Sequence, residues 1–198
     1  MKTPSKTAAP PRRRDAEATR EAILVSARKA FAASGYDGAG LREIAAGAGV
    51  TAMMVNRYFG SKEHLFAEVV EQTMTQGSLI AGGIMDHPRP GHALAEALVK
   101  MTRADVTPVD GFLITLHSAS SAAAADIGRE KIDAHHLKTV TRALHGKRQA
   151  ERAALILAVI SGFQVMRQMI ALPALANADE DVLVRLLAGV FDRLIDPA

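Results

Sequence analysis

Three sets of residues in this chain of 198 have types and spacings that suggest chemistry. The first is Gly47-Ala48-Gly49-Val50-Thr51-Ala52, which fits the relaxed G-x-G-x-x-A loop that cradles a dinucleotide pyrophosphate. Such a loop must follow a strand. Here a helical pattern precedes it, so the segment reads as a turn between helices. The second set is seven histidines, at 64, 87, 92, 117, 135, 136 and 145. His135 and His136 are neighbours, so on a helix they point about 100° apart and do not share a metal easily. No H-E-x-x-H or other ligand spacing occurs, so no metal site is expected. His117 ends the apolar run Phe112–Leu116, and two readings stand: a polar tip inside a ligand pocket, or a hydrogen-bonded core histidine. The third set is Arg12-Arg13-Arg14, either an arm for a minor groove or a solubilising tail.

The chain has no cysteine, which removes disulfides, cysteine-bound zinc, iron–sulfur clusters and thiol catalysis. No G-x-S-x-G, P-loop or paired carboxylates appear. The expectation is a protein that is not an enzyme, has no catalytic residue and needs no cofactor. Cysteine-free composition suits a reducing cytoplasm. The N-terminus has charge without an apolar stretch behind it. The longest apolar run, Ala153–Phe163, is broken by Ser161 and Gly162, too short for a bilayer. No membrane partner is expected. The net charge is +3, and residues 1–14 alone carry five basic groups and no acid. Such a concentration suits a nucleic acid or another acidic surface.

The elements that position these groups read as helices throughout. Residues 1–14 form a disordered basic arm. Asp15 caps a helix to about Ser34 whose stripe is Ile23, Ala27, Ala30 and Phe31, and Gly35 stops it. Leu41, Ile44, Ala45 and Ala48 have the spacing of a short amphipathic helix. Gly49 ends that helix. Thr51 caps the next one, about Ala52–Phe59, with Val50 and Val55 as a hydrophobic staple. Gly60 stops it, and Ser61 caps a fourth helix. Further helices are expected near 92–104, 109–121, 124–144, 150–172 and 179–195, the last with an Asn177/Glu180 capping box. The fold class is all-α, with about nine helices.

Leu41–Phe59 is therefore a helix, a Gly49-centred turn and a second helix that can enter a major groove. The run from Gly35-Tyr36 through Arg42-Glu43-Ile44-Ala45, Ala48-Gly49-Val50, Arg57-Tyr58-Phe59, Ser61-Lys62-Glu63 and Leu65-Phe66 resembles the DNA-binding domain of the TetR family of transcriptional regulators. The strong part of the resemblance covers about residues 18–70. It implies a helix-turn-helix domain over 15–62 and a larger bundle over 63–198 that holds a small molecule and the interface of a homodimer. It implies that Arg42 meets phosphate or a base, and that Thr51 caps and touches the DNA backbone. Ala52, Met53, Met54, Asn56 and Tyr58 would face the groove and its flanks. Lys62 would meet phosphate at a helix N-terminus, and Val55 and Phe59 would stay in the core. Gly40, Ala52-Met53-Met54 and Asn56 depart from the family's usual residues, so its base contacts do not transfer in detail. Asn56 suits adenine and methionine suits the thymine methyl. Packing of one Met beneath its own helix is the alternative.

The last two helices carry wide apolar stripes: Leu155, Ile156, Val159, Ile160, Phe163, Met166 and Ile170, then Val182, Leu183, Leu186, Leu187, Val190, Phe191 and Leu194. Either the pair meets its two-fold mate or it caps its own domain. A pocket would involve Met74, Leu98, Met101, Phe112, Leu116, His117 and Met166, and would suit an apolar or amphipathic effector. The same residues also read as plain core. The reading is a cytoplasmic, homodimeric, ligand-responsive regulator of double-stranded operator DNA, acting as a repressor. Its rivals are a helical adaptor without operator binding and a nucleotide-binding enzyme.

Overall fold

The computed structural model describes residues 11–75, 79–80, 83–107 and 109–197, with side chains from Asp15 onward except at Thr75. Every regular element among them is helical. The order is α1 Pro11–Gly38, α2 Leu41–Gly47, α3 Ala52–Phe59, α4 Lys62–Thr75, a 3-10 turn Ile84–Asp86, α5 Pro90–Met101, α6 Asp110–Ser118, α7 Ala122–Ile132, α8 Lys138–Ala143, α9 Gln149–Gln164, α10 Pro173–Ala176 and α11 Glu180–Ile195. A π-helical turn, Asp133–Leu137, joins α7 to α8, and a second, Val165–Met169, extends α9. With α7 and α8 counted as one, nine helices stand beside the four-residue α10.

Two boundaries differ from the sequence reading. α1 begins at Pro11 rather than Asp15, since proline at a first helical position loses no hydrogen bond. The backbone of Arg12–Arg14 is thus helical, while residues 1–10 lie outside the described residues. α11 is capped by Asp179, whose carboxylate accepts from Val182 N at 3.1 Å, and not by Asn177. Asp179 directly precedes Glu180, so its side chain reaches the free N–H groups of the first turn.

The buried residues form two clusters. The first holds Ile23, Ala27, Ala30 and Phe31 of α1, Ile44 and Ala45 of α2, Val55 and Phe59 of α3, and Leu65, Phe66 and Val69 of α4, together with Ile114 of α6 and Ala124 of α7. Phe66 lies edge-on to Phe31 and Tyr36, with ring centroids 5.0 Å apart in both pairs. The second draws on α5, α8, α9 and α11, with Leu94, Leu98, Ile156 and Phe191 sealed from solvent. There Arg152 is 7% exposed and donates to carbonyls at two helix ends: Lys147, Leu194 and Ile195, each at 3.0 Å, and His145. Its five donors satisfy orphan carbonyls that would be costly to bury alone.

α6 ties the first three helices to the rest. Gly35 has φ 66° and ψ −175°, a break that interrupts α1 as expected of a glycine stop. A Cβ there would lie 2.3 Å from the His117 carbonyl oxygen. Around this contact Tyr36 N donates to Ser118 Oγ at 2.9 Å, and Ser121 Oγ donates to Asp37 Oδ1 at 3.1 Å. His117 Nδ1 lies 2.7 Å from Ala32 O.

Candidate DNA-binding face and ligand cavity

The geometry of α3 follows from its ends. Gly49 takes φ 68° in the turn, and Val50 N donates to Ala45 O at 2.9 Å. Thr51 then caps α3, its Oγ1 accepting from Met54 N at 3.3 Å. The ladder between α2 and α1 is tight: Ser26 Oγ donates to Ile44 O at 2.8 Å, and a Cβ on Gly47 would lie 2.4 Å from Ser26 Oγ. With Val55 1% and Phe59 7% exposed, helical periodicity turns the opposite face outward.

That outer face carries Met53, 81% exposed, with Asn56 and Arg57 also exposed. Positions 53, 56 and 57 are i, i+3 and i+4, so they form one continuous strip. Sequence reasoning passed over Arg57, although its spacing from Met53 was the available signal. Thr51 and Arg42 are exposed as well. Ala52 and Tyr58 are half-buried against the first cluster, and Met54 is half-buried. Lys62 opens α4 and is held in place, its Nζ 4.6 Å from the centre of the Tyr36 ring. Tyr36 OH donates to Glu63 Oε1 at 2.8 Å. Burial, then this carboxylate, pushes the Tyr36 pKa up to about 12. Glu63 is held below its ordinary value, chiefly by its own backbone N–H and then by Tyr36.

A cavity of about 150 Å³ lies among α4, α6, α9 and the turn after α7. Met74, Met101 and Phe112, three of the residues the sequence reading named, line it. Four other expected residues are not on its wall. Leu98 is sealed inside the second cluster. Leu116 and His117 sit on the far end of α6, where His117 turns to α1 instead. Met166 is 45% exposed. The buried stripe of α9 steps through Ile156, Ile160 and Phe163 to Arg167, whose Nη1 donates to Val99 O at 2.6 Å and Thr102 Oγ1 at 3.1 Å. Periodicity and this hydrogen bonding, not apolarity, decide which side chain turns inward.

Among the wall residues that the sequence reading did not name for a pocket are His136 and Gln164. His136 follows from the π-helical turn, a feature without a recognisable sequence signal. Burial, then repulsion from His135, holds its pKa below the usual histidine value. His135 pairs with Glu71 at 2.7 Å, and Lys131 meets the other Glu71 oxygen at 3.0 Å.

The outer faces of α9 and α11 expose Leu155 (53%), Leu186 (66%) and Val190 (43%). Together with Val159, Gly189 and Leu194 they line a shallow open groove. No helix among the described residues is long and apolar enough to cross a membrane.

Residues 23–69 match the family described as bacterial regulatory proteins, tetR family, and residues 89–195 match the tetracyclin repressor-like C-terminal domain. A curated relative, the HTH-type transcriptional repressor BepR of Brucella suis, is 35% identical over 92 residues. That match takes in 44% of each chain, so this chain spans under half of that relative's length in the alignment. Among solved structures, a TetR-family regulator from Streptomyces coelicolor A3 is 25% identical, with TM-score 0.53 over 90% of this chain and 95% of that one. The transcriptional regulator FadR from Bacillus subtilis, solved in complex with stearoyl-CoA, has TM-score 0.63 at 15% identity over 90% and 98% of the two chains. With both halves matched and the helix-turn-helix geometry in place, the chain belongs to the TetR family of DNA-binding transcriptional regulators.

Proposed function

We propose that this protein is a cytoplasmic, homodimeric repressor that leaves its double-stranded operator when a small molecule fills the cavity. The observation that carries this reading is the strip Met53–Asn56–Arg57, presented on a helix whose other face is locked into the core. In a major groove, Asn56 makes a bidentate contact with adenine, Met53 touches a thymine methyl, and Arg57 supplies charge. Thr51, Arg42 and Lys62 meet the flanking backbone, and Ala52, Met54 and Tyr58 border the contact. Arg12, Arg13 and Arg14 extend it toward an adjacent minor groove. The domain division proposed is 15–62 for DNA and 63–198 for ligand and dimer.

Dimerisation through α9 and α11 is supported by Leu155, Leu186 and Val190, which are exposed and line one groove on those helices. A two-fold protein also matches a palindromic site. Coupling is supported by the path between the sites. α4 runs from Lys62 at the DNA side to Met74 on the cavity wall, about 20 Å at 1.5 Å per residue. α6 runs from Phe112 on that wall to the Gly35 contact on α1. The ligand-bound Bacillus subtilis neighbour supports a fold of this shape admitting a small molecule.

The test is fluorescence anisotropy of the full-length protein on DNA from upstream of its own gene. The expected result is saturable binding of two chains per site, tighter by about a thousandfold than binding to unrelated DNA. Equal affinity for both DNAs would overturn the operator assignment.

A further inference from the structure

Among the described residues, the cavity wall contains no Asp, Glu, Lys or Arg. Residues 76–82 contain no ionisable side chain in the sequence. Among the described wall residues the titratable one is His136, whose pKa is held below the ordinary histidine value by burial and then by His135. A carboxylate or ammonium entering such a space loses its hydration with no opposite charge on the described wall to meet it.

The polar groups on the wall differ in what they have left to offer. Thr73 Oγ1 donates to Val70 O at 2.9 Å and Thr115 Oγ1 donates to Gly111 O at 2.8 Å, so both hydroxyl protons are used within their own helices. Ser161 is exposed. Gln164 is 4% exposed, and its amide takes part in no hydrogen bond among the described residues. A ligand hydroxyl or carbonyl in the cavity can hydrogen-bond that amide. The cavity volume, about 150 Å³, is of the size that takes up benzene in an engineered protein core.

We infer that the effector is an uncharged molecule of about six to ten non-hydrogen atoms, mostly apolar, with one hydroxyl or carbonyl that hydrogen-bonds the Gln164 amide. This rests on the cavity being the effector site, as proposed above, and narrows it by excluding acids, amines and long acyl chains.

Calorimetric titration of the full-length, DNA-free protein with benzyl alcohol, toluene, benzoate and benzylamine compares one ring with four polar ends. Benzyl alcohol is expected to bind once per chain, about tenfold tighter than toluene, with no detectable heat from benzoate or benzylamine. Gln164→Leu is expected to lose about tenfold for benzyl alcohol and nothing for toluene. Gln164→Met, unbranched and of similar length, serves if the leucine variant fails to fold. The wild-type comparison needs neither. Benzoate, benzylamine or stearoyl-CoA binding as tightly as benzyl alcohol would overturn the inference, as would the absence of binding by both neutral compounds. Operator release is read separately by anisotropy. Benzyl alcohol that binds yet leaves the protein on DNA upholds the cavity chemistry and counts against the effector reading.

Discussion

The helix-turn-helix and the cavity obtain their surfaces in different ways. α2, α3 and their turn span under twenty residues, and each side chain's direction follows from its neighbours in sequence: Thr51 caps, Val55 and Phe59 anchor, Met53 and Asn56 face out. The cavity gathers Met74, Met101, His136 and Gln164 from segments spread over ninety residues. Its shape depends on the π-helical turn that carries His136 and on helices that meet only after folding. A reading surface built locally can change its bases by substitutions that leave the fold alone. A cavity built from distant pieces cannot change one wall without moving others, as the proposed coupling to DNA would need.

The contact that joins the two regions gives the largest expected effect. Gly35→Ala places a Cβ against the His117 carbonyl at a backbone angle that L-residues avoid. A loss of about 3 kcal/mol in urea unfolding is expected. An unchanged midpoint would mean that α1 and α6 are not held together there. Next comes the outer face of α11. Leu186→Glu puts a charge into the proposed dimer seam while sparing the buried Leu183, Leu187 and Phe191. Light scattering is expected to report monomers, with operator affinity down by at least about tenfold; a dimer of normal affinity would place the seam elsewhere.

Lys62→Ala is expected to weaken binding to all sequences alike and to lower the salt slope by about one unit, as for one lost phosphate contact. A loss confined to one sequence would make Lys62 a base reader. The smallest effect concerns acid. Glu71 has its pKa lowered, first by the Lys131 hydrogen bond and then by His135, against desolvation. Its contribution to stability is therefore complete above its ordinary value of 4.5 and is lost as pH falls below it. Glu71→Gln is expected to show a shallower fall in melting temperature over that acid range than the wild type.

The sequence made the α2–α3 unit legible because caps, staple and stop glycine are all local signals, and Gly35, Gly49 and Gly60 do take positive φ. The α1 stripe was legible for the same reason. The bundle was legible in its helices but not in its interior. Sequence left His117 between a pocket tip and a hydrogen-bonded histidine, and named Met166 for a pocket; in the structure His117 Nδ1 lies against Ala32 O and Met166 faces out. Gln164 and His136 look like surface residues in one dimension, and only the crossing of α4, α6 and α9 encloses them. Arg167 is the plainest case, a buried cation made tolerable by carbonyl and hydroxyl oxygens of α5 and its C-cap that no spacing announces.

The claim on which the rest depends is that the outer strip of α3 reads bases. Asn56→Ala, titrated by anisotropy against the operator and its single-base variants, tests it most directly. Asn56 is exposed, so the melting temperature should stay within a degree or so of wild type, about what a change of a few tenths of a kcal/mol gives. Affinity for the operator should fall by about 1–3 kcal/mol, and the preference at one A·T position should disappear. A fall in melting temperature with base preference intact would show that Asn56 supports the fold and that the operator is read by other residues.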